Sequence, residues 1–279
     1  MSEHALVVGL IDAVSLERHG SARVAAWLAE HRTAVPAALR TCDQDELREV
    51  GLRLAAATWT AADLLPDPRW WTDVATAGES LAIAGRDPVA LVDLLHSAAT
   101  TFARHGDQQR AEERLVRALA IARRTGGRQN DAVLTALAGL YRDWGRLGKA
   151  LDAYLGLVDL RREAGDPAGT AAALAEVGAT MHAAGRLRTA MEYFDRADEE
   201  IADAPATETS HARILVWCGR TRWEQGLHSD ARRRWSRALA LLVDVDDTAA
   251  NEVRELLANG PAERTQTSNT SWSSSGGVG

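Results

Sequence analysis

A glycine, four residues, then Gly-Lys-Ser/Thr is the loop that cradles nucleotide phosphates. The single lysine of this sequence, Lys149, lies in Gly148–Lys149–Ala150. Asp143 stands where the first glycine belongs, and Ala150 has no hydroxyl to hold magnesium. Nucleotide binding is therefore not expected. The histidines His4, His19, His31, His96, His105, His182, His211 and His228 form no HExxH or Cys/His cluster and read as turn or surface residues. Asp244, Asp246 and Glu255 share part of a calcium-loop spacing. Ala249 replaces its turn glycine and Thr248 an acidic ligand, so these acids read as capping residues. Cys42 and Cys218 are too few for a disulfide framework, and Cys218 falls at a core register, where it serves as an inert small hydrophobe. No catalytic residue, metal or cofactor is expected.

Charge does not point to nucleic acid. The basic clusters are Arg123, Arg124 and Arg128, and Arg232, Arg233, Arg234 and Arg237. They sit in a chain of 279 residues with a net charge of −7 and no helix-turn-helix or stacking module. They read as solvated outer faces with Glu partners. No run of roughly 18 apolar residues exists for a membrane span. Met1–Gly20 carries Glu3, Asp12 and Glu17 without a basic start, unlike a secretory leader. A cytoplasmic location is expected, in which the Asn269–Thr270–Ser271 acceptor has no role. Hydrophobic residues at 46% and charged residues at 25% are ordinary for a globular chain.

The elements that must position any site are helical. Alanine, arginine, leucine and glutamate dominate, and strand-type alternation is never sustained. One pattern recurs four times: Gly106–Ala111–Leu115–Ala118, Gly145–Ala150–Tyr154–Leu157, Gly185–Ala190–Phe194–Ala197 and Gly226–Ala231–Trp235–Ala238. The glycines are 39, 40 and 41 residues apart, and the three residues after each fall at i, i+4, i+7, one helical face. Eleven residues before each glycine stands Leu95, Leu134, Leu174 or Leu215, followed four later by Ala99, Ala138, Gly178 or Gly219. Phe102, Tyr141 and Met181 come three residues further on; the fourth unit has Arg222 there. Each unit predicts a helix, a glycine turn and a second helix. The small residue of the first helix lets a neighbour come close. Trp144, Trp217, Trp223 and Trp235 fall at core or interface registers.

This arrangement resembles the tetratricopeptide repeat (TPR), stretched from 34 to about 40 residues. The family's proline near the end of the second helix is absent: Arg123, Arg162, Ala202 and Val243 stand there. Asp87–Pro88 and Asp166–Pro167 supply an N-cap and a first helical residue instead. The resemblance implies an all-α fold, a right-handed superhelical solenoid of antiparallel pairs. It assigns residues 1–87 to degenerate N-terminal pairs, 88–247 to four units, 248–258 to a capping helix begun by Asp247–Thr248, and 259–279 to a disordered Ser/Gly-rich tail. His4–Arg18, Ser21–Arg40, Glu46–Leu64 and Asp67–Ala84 read as the earlier helices. Ala26–Trp27–Leu28–Ala29–Glu30 with Val35 and Ala37–Ala38–Leu39, and the joints Gly106–Asp107 and Gly165–Asp166, also resemble the C-terminal region of bacterial NB-ARC (STAND) regulators, without their ATPase module.

TPR proteins bind extended or helical peptides along the concave face of their first helices. The family's groove places map onto His96, Thr100, Thr135, Arg142, Glu176, His182, Arg213, Trp217 and Arg220. No Lys or Asn stands at any groove place, so the clamp for chaperone C-termini is not expected. Arg213, Trp217, Arg220 and Glu224 share one face, suited to an acidic or C-terminal segment, with Arg142 and His182 extending it. The expectation is a non-enzymatic protein–protein interaction scaffold and regulator, with a protein or peptide partner, no nucleic acid and no membrane. A peptide or small-molecule sensor, or an accessory subunit of a biosynthetic enzyme, is the alternative.

Overall fold

The computed structural model describes residues 21–42, 45–60, 62–126, 129–202, 204 and 208–261. The expected helix at His4–Arg18, Arg128 and most of the expected tail lie outside them. The described residues contain helices and no strands. The helices are α1 (Ser21–Glu30), α2 (Ala34–Thr41), α3 (Asp45–Thr60), α4 (Pro68–Ala84), α5 (Pro88–Arg104), α6 (Gln108–Thr125) and α7 (Gln129–Asp143). They continue with α8 (Leu147–Glu163), α9 (Pro167–Ala183), α10 (Leu187–Ile201), α11 (Glu208–Glu224), α12 (His228–Leu242) and α13 (Asp247–Asn259). A 3₁₀ turn, Ala62–Leu64, follows α3. The chain divides into two compact units, Met1–Ala164 and Gly165–Gly279, a division the repeat pattern did not announce.

Each unit holds two of the four repeated pairs, α5/α6 and α7/α8 in the first, α9/α10 and α11/α12 in the second. The turn inside each pair is the same device. Gly106, Gly145, Gly185 and Gly226 have φ between 68° and 82°, a region that favours glycine. The next residue's N–H closes a six-to-one bond onto the first helix: Asp107 to Phe102, Arg146 to Tyr141, Arg186 to Met181 and Leu227 to Arg222. The carbonyl that accepts belongs each time to the large residue of the repeat. Helix starts are equally regular. Asp67, Asp87, Asp107, Asp166 and Asp246 each accept an N–H of the first turn through the side chain. Asp67–Pro68 thus repeats the Asp87–Pro88 and Asp166–Pro167 starts.

Two sequence expectations shift. Ser21–Arg40 is not one helix: a turn at residues 31–33 separates α1 from α2. The His31 Nδ1 lies 2.9 Å from Trp27 O, and its ring stacks on Trp27, so the last turn of α1 closes on itself. The last helix is capped by Asp246, one residue earlier than Asp247–Thr248. In the first unit, Trp71 is buried, donates to Ala62 O and meets Phe102 edge-on, joining α4 to the 3₁₀ turn and α5.

Inside the pairs the core is a match of small against large. A Cβ built on Gly219 would lie 2.2 Å from Trp235 Nε1, and one on Gly178 would lie 2.9–3.1 Å from the Phe194 ring. Phe194 and Trp235 thus sit against the two glycines of the repeat register. Leu115 and Tyr154 hold the equivalent register to Ala99 and Ala138. The ladder alanines Ala111, Ala118, Ala150, Ala190, Ala197, Ala231 and Ala238 have no exposed surface.

This packing separates two kinds of helical glycine. Gly219→Ala should cost about 1–3 kcal/mol by overpacking. Gly139 in α7 has nothing near its Cβ position. Gly139→Ala should instead stabilise by about 0.5–1 kcal/mol, the helix-propensity difference. Urea unfolding of the two variants checks this, and the signs should be opposite.

Candidate functional site

In the first unit the nominated residues are held by local bonds. His96 on α5 is half-buried, and burial pushes its imidazole below the ordinary value against the opposing charge of Asp93. The hydroxyl of exposed Thr100 donates to His96 O. Thr135 on α7 donates to Asp131 O and lies 3.4 Å from Arg161 Nη2, while Arg161 pairs with the Asp131 carboxylate. The guanidinium of Arg142 lies 5.9 Å from the Tyr154 ring centre and 3.6 Å from Asp143. These four residues are divided between α5 and α7.

Lys149 has a partner rather than a phosphate loop. Its ammonium donates to Glu112 at 2.7 Å, and Arg146 and the Tyr141 hydroxyl donate to the same carboxylate. Burial pushes the Glu112 carboxyl up, but the bonds from Lys149, Tyr141 and Arg146 outweigh it and hold the group below the ordinary carboxylate value. Burial and Glu112 together push the Tyr141 hydroxyl up to about 12.

The second unit gathers what the first does not. Trp217 on α11 is half-buried. Its ring stacks on Phe194 at 6.2 Å and 15°, meets His182 edge-on at 5.6 Å, and lies 5.8 Å from the Arg220 guanidinium. Arg213, one turn earlier, is exposed. Glu176 is half-buried on α9, and its carbonyl accepts from the Thr180 hydroxyl. His182, placed in the groove by register, does not reach solvent in appreciable part: it is 6% exposed. It lies behind the indole. The Thr221 hydroxyl gives its proton to Trp217 O at 2.9 Å and so accepts from His182 Nδ1 at 3.1 Å. The other ring nitrogen faces Glu224 at 3.4 Å. His182 is a positioning residue for the Trp217 face rather than part of its surface.

Sequence reasoning missed the support beneath this face. Arg222, at the register of a large apolar residue, is 8% exposed and makes two bonds to Asp195, at 2.6 and 2.7 Å. Arg234 also bonds Asp195 at 2.9 Å and reaches Asp198 with its other nitrogen. Asp198 further accepts from His211 at 2.6 Å and from Arg237 at 2.9 and 3.1 Å. Arg234 and Arg237, read as solvated with Glu partners, are bound to aspartates of α10, while Arg233 pairs with Asp230 and Arg232 lies over Trp223. The available signal was the i, i+3 spacing of Asp195 with Asp198 and of Arg234 with Arg237. Burial pushes the Asp198 carboxyl up, yet the bonds from His211 and Arg237 and the charges of Arg237 and Arg234 hold it below its ordinary value. Cys218, one turn before Arg222, is fully buried, and desolvation pushes its thiol up to about 12. It is no thiolate at neutral pH. Among the described residues no group of His, Cys, Asp and Glu is arranged to hold a metal, and no helix is long and apolar enough to cross a membrane.

Comparison with solved structures decides the class of the fold. A kinesin light chain from Podospora anserina with nearly identical TPR-like repeats aligns with TM-score 0.51 and 15% identity, over 77% of this chain and 96% of that one. The fold is TPR-like. RapI in its apo form aligns with TM-score 0.66 and 13% identity, over 93% of this chain and 73% of that one. BtubC from P. vanneervenii aligns with TM-score 0.56 and 15% identity, over 96% and 97%. No family model matches the sequence, and no curated protein matches it. At these identities the likeness is one of TPR-like architecture. It assigns no residue of the Trp217 face.

The ion cluster of the second unit makes stability depend on acid. A depressed folded value means that the Asp198 contribution is complete above the ordinary carboxylate value of about 4 and is lost as pH falls through the lower folded value. Asp198→Asn should cost about 1–3 kcal/mol at neutral pH, because buried donors lose their charged acceptor. Followed by circular dichroism from about pH 5 down to about pH 2, the variant should lose less further stability than the wild type.

Proposed function

We propose that this chain is a non-enzymatic interaction scaffold with a regulatory role, and that the Trp217 face of α11 holds an acidic or C-terminal segment of a partner protein. One observation carries the reading. A half-buried indole is fixed between Phe194, His182 and Arg220, with exposed Arg213 one turn away on the same face. Tryptophan and arginine are the residue types most enriched among energetically dominant interface residues. An indole already locked by its neighbours loses little freedom on binding. The arginines select carboxylates, which they bind through paired N–H donors.

The absence of an enzyme role in this proposal rests on the state of the reactive groups. Lys149 is engaged by Glu112, and the Cys218 thiol is buried and protonated. The regulatory part rests on the resemblance of Ser21–Asp247 to STAND regulator tails. Under this reading His96, Thr100, Thr135 and Arg142 form a separate stretch of groove on α5 and α7, and Glu176 borders the Trp217 face.

Affinity capture with the wild-type chain, followed by titration calorimetry with the captured partner, tests the proposal. Trp217→Ala should weaken binding by about 2 kcal/mol or more while helicity stays intact. The Arg213 and Arg220 contributions should shrink as salt rises, because exposed charges are screened. Equal binding by Trp217→Ala and Arg220→Ala would exclude this face as the site.

A further inference from the structure

Two clefts open between α2 and α4. One, of about 220 Å³, is lined by Leu39, Ala77 and Leu81 with Arg40 at its edge. The other, of about 270 Å³, includes Arg32, Arg40, Arg69 and Asp73. Arg40 lines both, so the two clefts adjoin. Leu39, Ala77 and Leu81 are buried and form an apolar floor, while Arg40 and Arg69 are exposed at the rim.

Folding explains only part of this charge arrangement. Arg32 is balanced by Asp67, with which it forms an ion pair. That leaves Arg40 and Arg69 facing Asp73, a positive surplus in a chain whose net charge is −7. Arg40 stands in the last turn of α2, where a cation suits the helix dipole. Arg69 stands in the first turn of α4, where a cation is disfavoured. A cation kept at that end, beside an apolar slot, is suited to an anion from outside. The size of the clefts narrows the class. Pockets for small molecules run from roughly 300 to 1,000 Å³. Each cleft is smaller than that and is the right scale for single side chains of a peptide.

We infer that the α2/α4 groove binds an acidic peptide segment of a partner, with an apolar side chain in the Leu39–Ala77–Leu81 slot and carboxylates on Arg40 and Arg69. The site is independent of the Trp217 face. Both surfaces prefer carboxylates, so the chain offers two contacts to acidic partner segments, one in each compact unit.

Fluorescence anisotropy with the full chain tests this. The probe is a fluorescein-labelled peptide of alternating Glu and Leu, and its control has Lys in place of Glu. The wild type should bind the Glu peptide saturably and the Lys peptide at least about tenfold more weakly. Arg40→Glu/Arg69→Glu should weaken Glu-peptide binding by about tenfold or more. Both residues are exposed, so the fold should tolerate the change, which unaltered helical circular dichroism verifies. Arg40→Lys/Arg69→Lys should retain part of the affinity. Trp217→Ala should leave a binding component of unchanged affinity that the double charge reversal removes. Absence of saturable binding, equal binding of the two peptides, or full binding by the charge-reversed variant overturns the inference. Failure of the Trp217 proposal alone would leave the Arg40/Arg69 component in place.

Discussion

In the two repeated pairs of the second unit, the distance between the helices is set where a large side chain of the second meets a glycine of the first. Trp235 lies against Gly219 so closely that even a methyl group would collide with the indole, and Phe194 does the same to Gly178. Once this contact is fixed, the remaining geometry has little freedom. The glycine turn must bring the chain back within a few residues, which requires the left-handed backbone seen at Gly185 and Gly226. The alanine ladder of the second helix must stay small, because it faces the same narrow gap. The face of α11 turned away from Gly219 is then available for other work, and Trp217, two residues earlier, lies off the Gly219 register.

The second unit adds ionic ties to this apolar match. Arg222 emerges from the core register and is neutralised by Asp195, while Asp198 collects His211, Arg234 and Arg237. Buried pairs of this kind add little net stability over an apolar packing, but they are costly to break. Their consequence is positional: α10, α11 and α12 are joined through directional bonds, and the side chains above them inherit that order. Thr221 belongs to the same turn. It joins Trp217 O to His182, so the indole is held from its backbone as well as from its ring. A surface aromatic with this much support is preorganised for contact.

The pairs were legible in the sequence because their signals are local and periodic. A glycine every 40 residues, an i, i+4, i+7 ladder, and Asp-Pro starts each correspond to one backbone requirement. What remained hidden depends on partners distant in sequence. Arg222 looked like a defect in the repeat, because Asp195, its counter-charge, lies on another helix. His182 looked like a groove residue by its place in the register, yet Thr221 and Trp217 cover it. The interruption at residues 31–33 is marked only by Pro36, which has no N–H to give to Arg32 O and so falls in the first turn of α2. Of the candidate site, the Trp217–Arg220 cluster was readable from spacing along one helix. Its support by Phe194 was not, because that contact spans two helices. The Arg40/Arg69 groove escaped for the same reason: neither arginine stands out until α2 and α4 are side by side.

The small-against-large match is the claim on which the rest stands, and a double-mutant cycle at Gly219 and Trp235 tests it directly. The chain itself shows the alternative solution, since Ala99 and Leu115 hold the same two places in the first repeated pair. If the match sets the helix spacing, Trp235→Leu should relieve most of the penalty of Gly219→Ala. The two changes would then be non-additive by about 1 kcal/mol or more in urea unfolding. Additive effects, with Gly219→Ala costing as much beside leucine as beside tryptophan, would contradict the account.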